Sequence, residues 1–136
     1  MAVPFNKFNS FVEALAHKKH NLSSDTLQVA LTNTAPVAGN AVLADLTQIS
    51  YTNLSSRVLT TSSSGQTSGV YKLVIADLVL TASGAVAPFR YVVIFNQTAS
   101  NDELIGWYDY GSSITLANGD TFTCDFDGSN GIFTLT

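Results

Sequence analysis

Charge is scarce in this chain. Its 6 basic and 10 acidic residues make up only 12% of 136 positions, about half the usual share. Ser, Thr, Asn and Gln must therefore supply most of the polar surface. Such a surface has little charge repulsion to keep copies apart, which suits a protein packed against neighbours and equally suits a neutral β-domain with Thr-rich faces. The net charge of −4 and the pI near 4.7 argue against an electrostatic nucleic-acid binder, which would carry a basic stripe. The only basic cluster is His17-Lys18-Lys19-His20. One cysteine, Cys124, excludes an internal disulfide framework. The chain holds two histidines, so no third is available elsewhere as a general base. No apolar run reaches the length of a membrane span, and MAVPFNKF lacks the apolar core of a signal peptide. The expectation is a soluble protein made in the cytoplasm, with no membrane or nucleic-acid partner. Also missing are a Gly-rich phosphate loop, a CxxC pair and a nucleophile elbow.

Hydrophobic residues are plentiful, at 46%, and the length is that of one domain able to bury its own core. Phe5, Phe8, Phe11, Val12, Leu15 and Ala16 recur three or four apart, which predicts a helix over 5–20. Pro4 suits its start, HKKH places cations at its C-terminal end, and Asn21 suits a left-handed cap. Residues 26–33, TLQVALTN, then alternate as a half-buried strand. Residues 41–49 fit a short helix or a loop with an edge strand, and 57–61 a strand. Residues 62–69, SSSGQTSG, have no apolar anchor and read as an exposed hairpin loop or lateral finger. Residues 70–81 read as a long strand, buried on both faces or kinked at Asp77 where it changes partners. In 88–96, PFRYVVIFN, alternation sets Phe89, Tyr91, Val93 and Phe95 against Arg90, Val92 and Ile94. Strands are expected at 103–110, 113–116, 120–127 and 132–135, with Asn118-Gly119 as a hairpin turn between the middle two.

About eight strands without interspersed helices predict a mainly β fold. The expected architecture is an antiparallel β-sandwich, jelly-roll-like, with one N-terminal α-helix. A small barrel is the competitor. The whole chain, 1–136, reads as a single domain, with a helix arm at 1–22 and a β-sandwich body at 23–136.

Candidate chemistry is thin. His17 and His20 would share a helix face, with Glu13 one turn earlier, but a metal site needs further ligands; a solvated helix end is the expectation. Asp125–Gly131 resembles the start of a calcium loop, yet the sixth position is Asn130 and the flanks are strands, so a tight turn is expected. Asp102, Glu103 and Asp109 offer carboxylates, but Glu103 and Asp109 on one strand lie too far apart for a glycosidase pair; Asp120 is a cross-strand alternative. Trp107, Tyr108 and Tyr110 with Phe89 and Tyr91 would make a sugar-binding platform, or simply packing pairs. Cys124, between Phe122 and Phe126, reads as an inert buried thiol. Neither an enzyme nor a cofactor is expected.

The segments FNKFNSFVEALAHKKHNLSSDTLQVALTNTAPVA, QTSGVYKLVIADLVLTASGAVAPFRYVVIFN and LIGWYDYGSSITLANGDTFTCDF together resemble a family of small tailed-bacteriophage virion proteins. HNL-S-DTL-VALTNTAP and LIGW-DYG are the most specific parts. The resemblance covers nearly the whole chain and implies a capsid decoration, or cement, protein with a jelly-roll-like fold. It implies a place on the virion head surface after assembly in the host cytoplasm, with the phage major capsid protein as partner. A homo-oligomer, dimer or trimer, is expected. Phe5, Phe8 and Phe11 of the helix, and Ser64, Gly65 and Gln66 of the 62–69 loop, are the expected contacts to capsid or sister subunits. A tail or head–tail connector component and a virion-surface carbohydrate-binding module are the alternatives.

Overall fold

The computed structural model describes residues 3–136; the first two residues of the expected arm lie outside them. The protein is mainly β, with antiparallel sheets and one short helix. Strand β1 (Asn6–Lys7) precedes helix α1 (Phe11–Ala16), strand β2 (Leu27–Thr32) and a 3-10 turn at Leu43–Asp45. Then follow β3 (Thr61–Thr67), β4 (Val70–Ile75), β5 (Leu78–Thr81), β6 (Val86–Asn96), β7 (Leu104–Leu116), β8 (Thr121–Cys124) and β9 (Phe133–Leu135). They form a four-stranded sheet of order β1-β7-β6-β2, a three-stranded sheet of order β3-β4-β9, and the pair β5-β8. Among the described residues these sheets stay open, so the barrel alternative falls.

Burial follows from β6. Val92 and Ile94 point into a core that also takes Val29 and Leu31 of β2, Ile105 of β7, Leu73 and Ile75 of β4, Leu80 of β5, and Phe122 of β8. All three sheets thus share one core. Val93 and Phe95 point the other way, into a smaller cluster with Phe8, Ala30 and Leu104, covered by Leu43, Leu46 and Trp107. The four-stranded sheet is therefore buried on both faces, which is why Val92, Val93, Ile94 and Phe95 are all apolar although successive residues face opposite ways. The kink expected at Asp77 is present: β4 pairs with β3 and β9, whereas β5 leaves to pair with β8.

The expected helix over 5–20 is far shorter. Phe5 and Phe8 obey helical spacing but are captured by β7: Asn6 and Lys7 pair with Trp107 and Gly106, and the Phe8 N–H donates to the Ile105 carbonyl at 3.2 Å. The helix stops before the basic run. Lys18 adopts φ 65°; its N–H donates to the Leu15 carbonyl at 3.2 Å, and that of Lys19 to the Ala14 carbonyl at 2.9 Å. This is a Schellman end with lysine where glycine is usual, so Lys18, not Asn21, is the left-handed residue.

Four further expectations change. Residues 62–69 are not a loop: 61–67 form β3, an antiparallel partner of β4. The expected strands at 103–110 and 113–116 are one strand, β7. Asn118-Gly119 makes a turn, with the Asp120 N–H on the Ala117 carbonyl at 3.0 Å, but it joins no hairpin, because β8 crosses to β5. The alternation in β6 also breaks. Tyr91 pairs with Asp109 while Phe89 pairs with Ile114, so β7 bulges. Phe89 joins Val92 and Ile94 in the large core, so β6 itself loses its alternation between Phe89 and Val92, and Tyr91 is left half-buried.

Candidate functional site

The expected contact residues divide into two groups. Phe8 and Phe11 are interior, 0% and 1% exposed. The Phe8 ring lies 4.6 Å from Trp107 and the Phe11 ring 5.2 Å from Phe133. Phe5 is half-buried against Tyr108 and Phe133, at 5.6 and 5.8 Å. The N-terminal aromatics thus pack on their own chain, and exposed-anchor logic does not apply to Phe8 or Phe11.

Gly65 and Gln66 are exposed and Ser64 is half-buried in β3. Ser68 and Gly69, at φ 52° and 83°, make the two-residue turn of a tight β-hairpin. The Gly69 N–H donates to Gln66 Oε1 at 2.9 Å, and the Ser64 and Tyr71 hydroxyls bond at 2.7 Å. A side chain at Gly65 would meet open space. The hairpin is uncharged from Thr61 to Tyr71.

Beneath it lies an open cleft of about 520 Å³, lined by residues that include Lys18, Lys19, His20, Ser64, Tyr71 and Thr98. His20 is only 6% exposed. Asn96 Oδ1 accepts from the Thr98 and Ala99 N–H groups at 3.0 and 3.2 Å. That fixes the Asn96 amide nitrogen, which donates to Asp25 Oδ2 at 2.7 Å and sits 3.0 Å from His20 Nδ1. Nδ1 must accept, so the proton of the neutral ring is on Nε2, which has no hydrogen-bond partner among the described residues. Burial lowers the His20 pKa; Glu103 and Asp25 push it back up, and Lys19 lowers it. Read from the sequence, HKKH was a solvated end; only the fold reveals a buried histidine in it.

The other candidates are structural. His17 is exposed and 3.8 Å from Glu13, so the two histidines share no face. No cluster of three metal-ligating side chains occurs among the described residues. Asp127 accepts from the Asn130 and Ser129 N–H groups at 2.8 and 2.9 Å and from the Asn130 amide at 2.9 Å. Those bonds, led by Asn130, hold its pKa below the usual carboxylate value and make the loop a turn. Glu103 is buried beside Lys19 at 3.7 Å, whereas Asp109 grips Arg90 at 2.8 and 3.1 Å; Asp120 Oδ2 accepts from the Ala117 N–H at 2.9 Å. Trp107 packs on Phe8 in the small cluster, while Tyr108 packs on Phe5 and Phe126 in the large one. They leave β7 on opposite faces and build no shared platform. Cys124 is fully buried, its thiol pushed up to about 12 by burial.

A feature with no sequence signal is the cover on β2. Arg57 stacks 3.6 Å over the Tyr51 ring and donates to the Val29 carbonyl at 2.6 Å, while the Tyr51 hydroxyl accepts from the Leu31 N–H at 3.0 Å. Among the described residues, no helix is long and apolar enough to cross a membrane. No family model matches this chain, and neither a curated protein nor a solved structure matches it.

Proposed function

We propose that this chain is a non-enzymatic bacteriophage capsid decoration protein that binds the outer surface of the head and stabilises contacts between major capsid protein subunits. The observation that carries this reading is the outer part of the β3–β4 hairpin, residues 61–71, which is uncharged and hydroxyl-rich on a chain with 12% charged residues. A surface of this kind is suited to many weak, repeated contacts that reinforce one another through avidity. The resemblance of the three segments to phage virion proteins supports the same reading. With it we assign the finer architecture, a jelly-roll-like sandwich, supported by the core that the three sheets share. Ser64, Gly65 and Gln66 are the contact residues to capsid or sister subunits. Phe8 and Phe11 are left out of that set because they are interior.

The test is co-sedimentation of the purified chain with expanded heads stripped of it, with immature heads and purified tails as controls. Saturable binding to expanded heads alone is the expected result, and it fixes the copy number per shell. Binding to tails, or assembly into rings without heads, would overturn the proposal in favour of a tail or connector component.

A further inference from the structure

Strand β3 is the edge of its sheet. Its hairpin closes at the pair Thr67 and Val70, followed inward by Gln66 with Tyr71, Gly65 with Lys72 and Ser64 with Leu73. Antiparallel pairs alternate between those that exchange backbone hydrogen bonds and those that do not, and a two-residue turn is closed by a bonding pair. Thr67 and Gly65 therefore turn their N–H and C=O groups toward β4. Ser64 and Gln66 turn theirs to the open side, where no backbone partner occurs among the described residues.

Three other edges, those of β1, β2 and β5, are shielded in recognisable ways. β1 is two residues long and carries Lys7. The outer side of β2 is covered by the segment around Arg57, with the Val29 N–H on the Arg57 carbonyl at 3.0 Å and the Leu59 N–H on the Leu27 carbonyl at 2.9 Å. β5 has Ser55, whose N–H reaches the Thr81 carbonyl at 3.0 Å. β3, TSSSGQT, has no charge and no proline. Its one irregularity, a register shift between Thr61 and Ser63, lies at its base and leaves the outer half straight.

We propose that β3 pairs antiparallel with β3 of a second copy of this chain, across a twofold axis at Ser64, joining two three-stranded sheets into one of six strands. In this register Ser64 faces its own counterpart, Ser63 faces Gly65 and Ser62 faces Gln66. The twofold axis brings side chains at and beside Ser64 near their own counterparts, so a charge there would meet a like charge, which destabilises strand pairing. A strand free of charge meets its own copy without that penalty, and it offers a charged partner no attraction. Ser and Thr side chains facing each other across strands add hydrogen bonds. The pairing requires no phage head and stands independently of the proposed function.

The test is sedimentation equilibrium of the full chain, without heads, from micromolar to millimolar concentration, for wild type, G65K and G65D. Position 65 is chosen because a side chain there meets open space, so both variants fold. A reversible wild-type dimer is expected. Each variant alone dimerises several-fold more weakly at low salt, and a mixture of the two regains the dimer, because opposite charges now meet beside the axis. Amide exchange by NMR gives a second readout: Ser64 and Gln66 become protected as concentration rises, while Gly65 and Thr67 are protected throughout. A wild-type monomer at every concentration, or a dimer indifferent to both charges, would overturn the pairing. A monomer that still binds heads would overturn the pairing alone; a dimer that ignores heads would overturn only the decoration role.

Discussion

The side-chain amide nitrogen of Asn96 lies 3.0 Å from His20 Nδ1 inside the body, and its own partners keep it from turning round. Protonating His20 would set one N–H against another. Burial lowers the His20 pKa from its ordinary 6.5. The unfolded chain therefore takes up a proton before the folded one does. Stability is expected to be full above pH 6.5 and to decline as pH falls from there through the lower folded-state pKa. Urea denaturation at intervals from pH 8 to 5 measures this, with H20Q as the variant that loses the slope. An equal slope in wild type and variant would refute the assignment.

Gly106 sits under the Phe5 ring. A methyl group there would collide with Phe5 Cζ and Cε2 and come within 2.7 Å of the Asn6 carbonyl oxygen. G106A is expected to lift β1 from β7 and to cost about 1–3 kcal/mol, as overpacking does. In a double-mutant cycle, F5A should absorb part of that cost. Strict additivity would show that the ring is not the obstacle.

Phe8→Ala and Phe11→Ala empty fully buried sites. Each is expected to cost about 3–5 kcal/mol, read as a large drop in thermal midpoint. Loss of particle binding in either variant would therefore report unfolding, not a lost contact.

Lys18 holds a left-handed conformation that favours glycine. K18G is expected to stabilise the protein by about 1 kcal/mol, seen as a higher urea midpoint with an unchanged slope. A destabilised variant would mean that the Lys18 side chain contributes more than its backbone costs.

Cys124 is expected to resist iodoacetamide in the folded protein at pH 8, because burial both shields the thiol and raises its pKa to about 12. Mass spectrometry should show alkylation only after denaturant is added. Rapid labelling of the native protein would contradict its burial.

Much of the β body was legible where burial is local in sequence. The alternation in TLQVALTN placed β2 within a residue or so, and the interruption at Asp77 correctly marked a change of partner. What was hidden depends on distant residues. Residues 62–67 have no hydrophobic signature, because β4 supplies their pairing and Tyr71 their anchor. The Phe5, Phe8, Phe11 spacing is compatible with a helix; only β7, a hundred residues on, turns its first half into a strand. The break in alternation between Phe89 and Val92, where the register against β7 shifts, has no signature in the sequence PFRYVVIFN. Of the candidate contacts, Gly65 and Gln66 are exposed and Ser64 is half-buried, whereas a row of phenylalanines cannot say whether it faces its own chain or another's.

The pairing of Asn6 with Trp107 and of Leu27 with Asn96 sets a schedule for the newborn chain. β1, α1 and β2 emerge from the ribosome first, yet their partners are among the later strands to be made. Until β6 and β7 arrive, Phe8, Phe11 and the β2 leucines have nothing to pack against, and a sparsely charged chain has little to keep such segments from one another. Structure dominated by remote pairings also forms slowly once complete. The first third must therefore stay soluble until β6 and β7 are made, and a lower temperature, which weakens association of exposed apolar segments, is expected to raise the soluble yield.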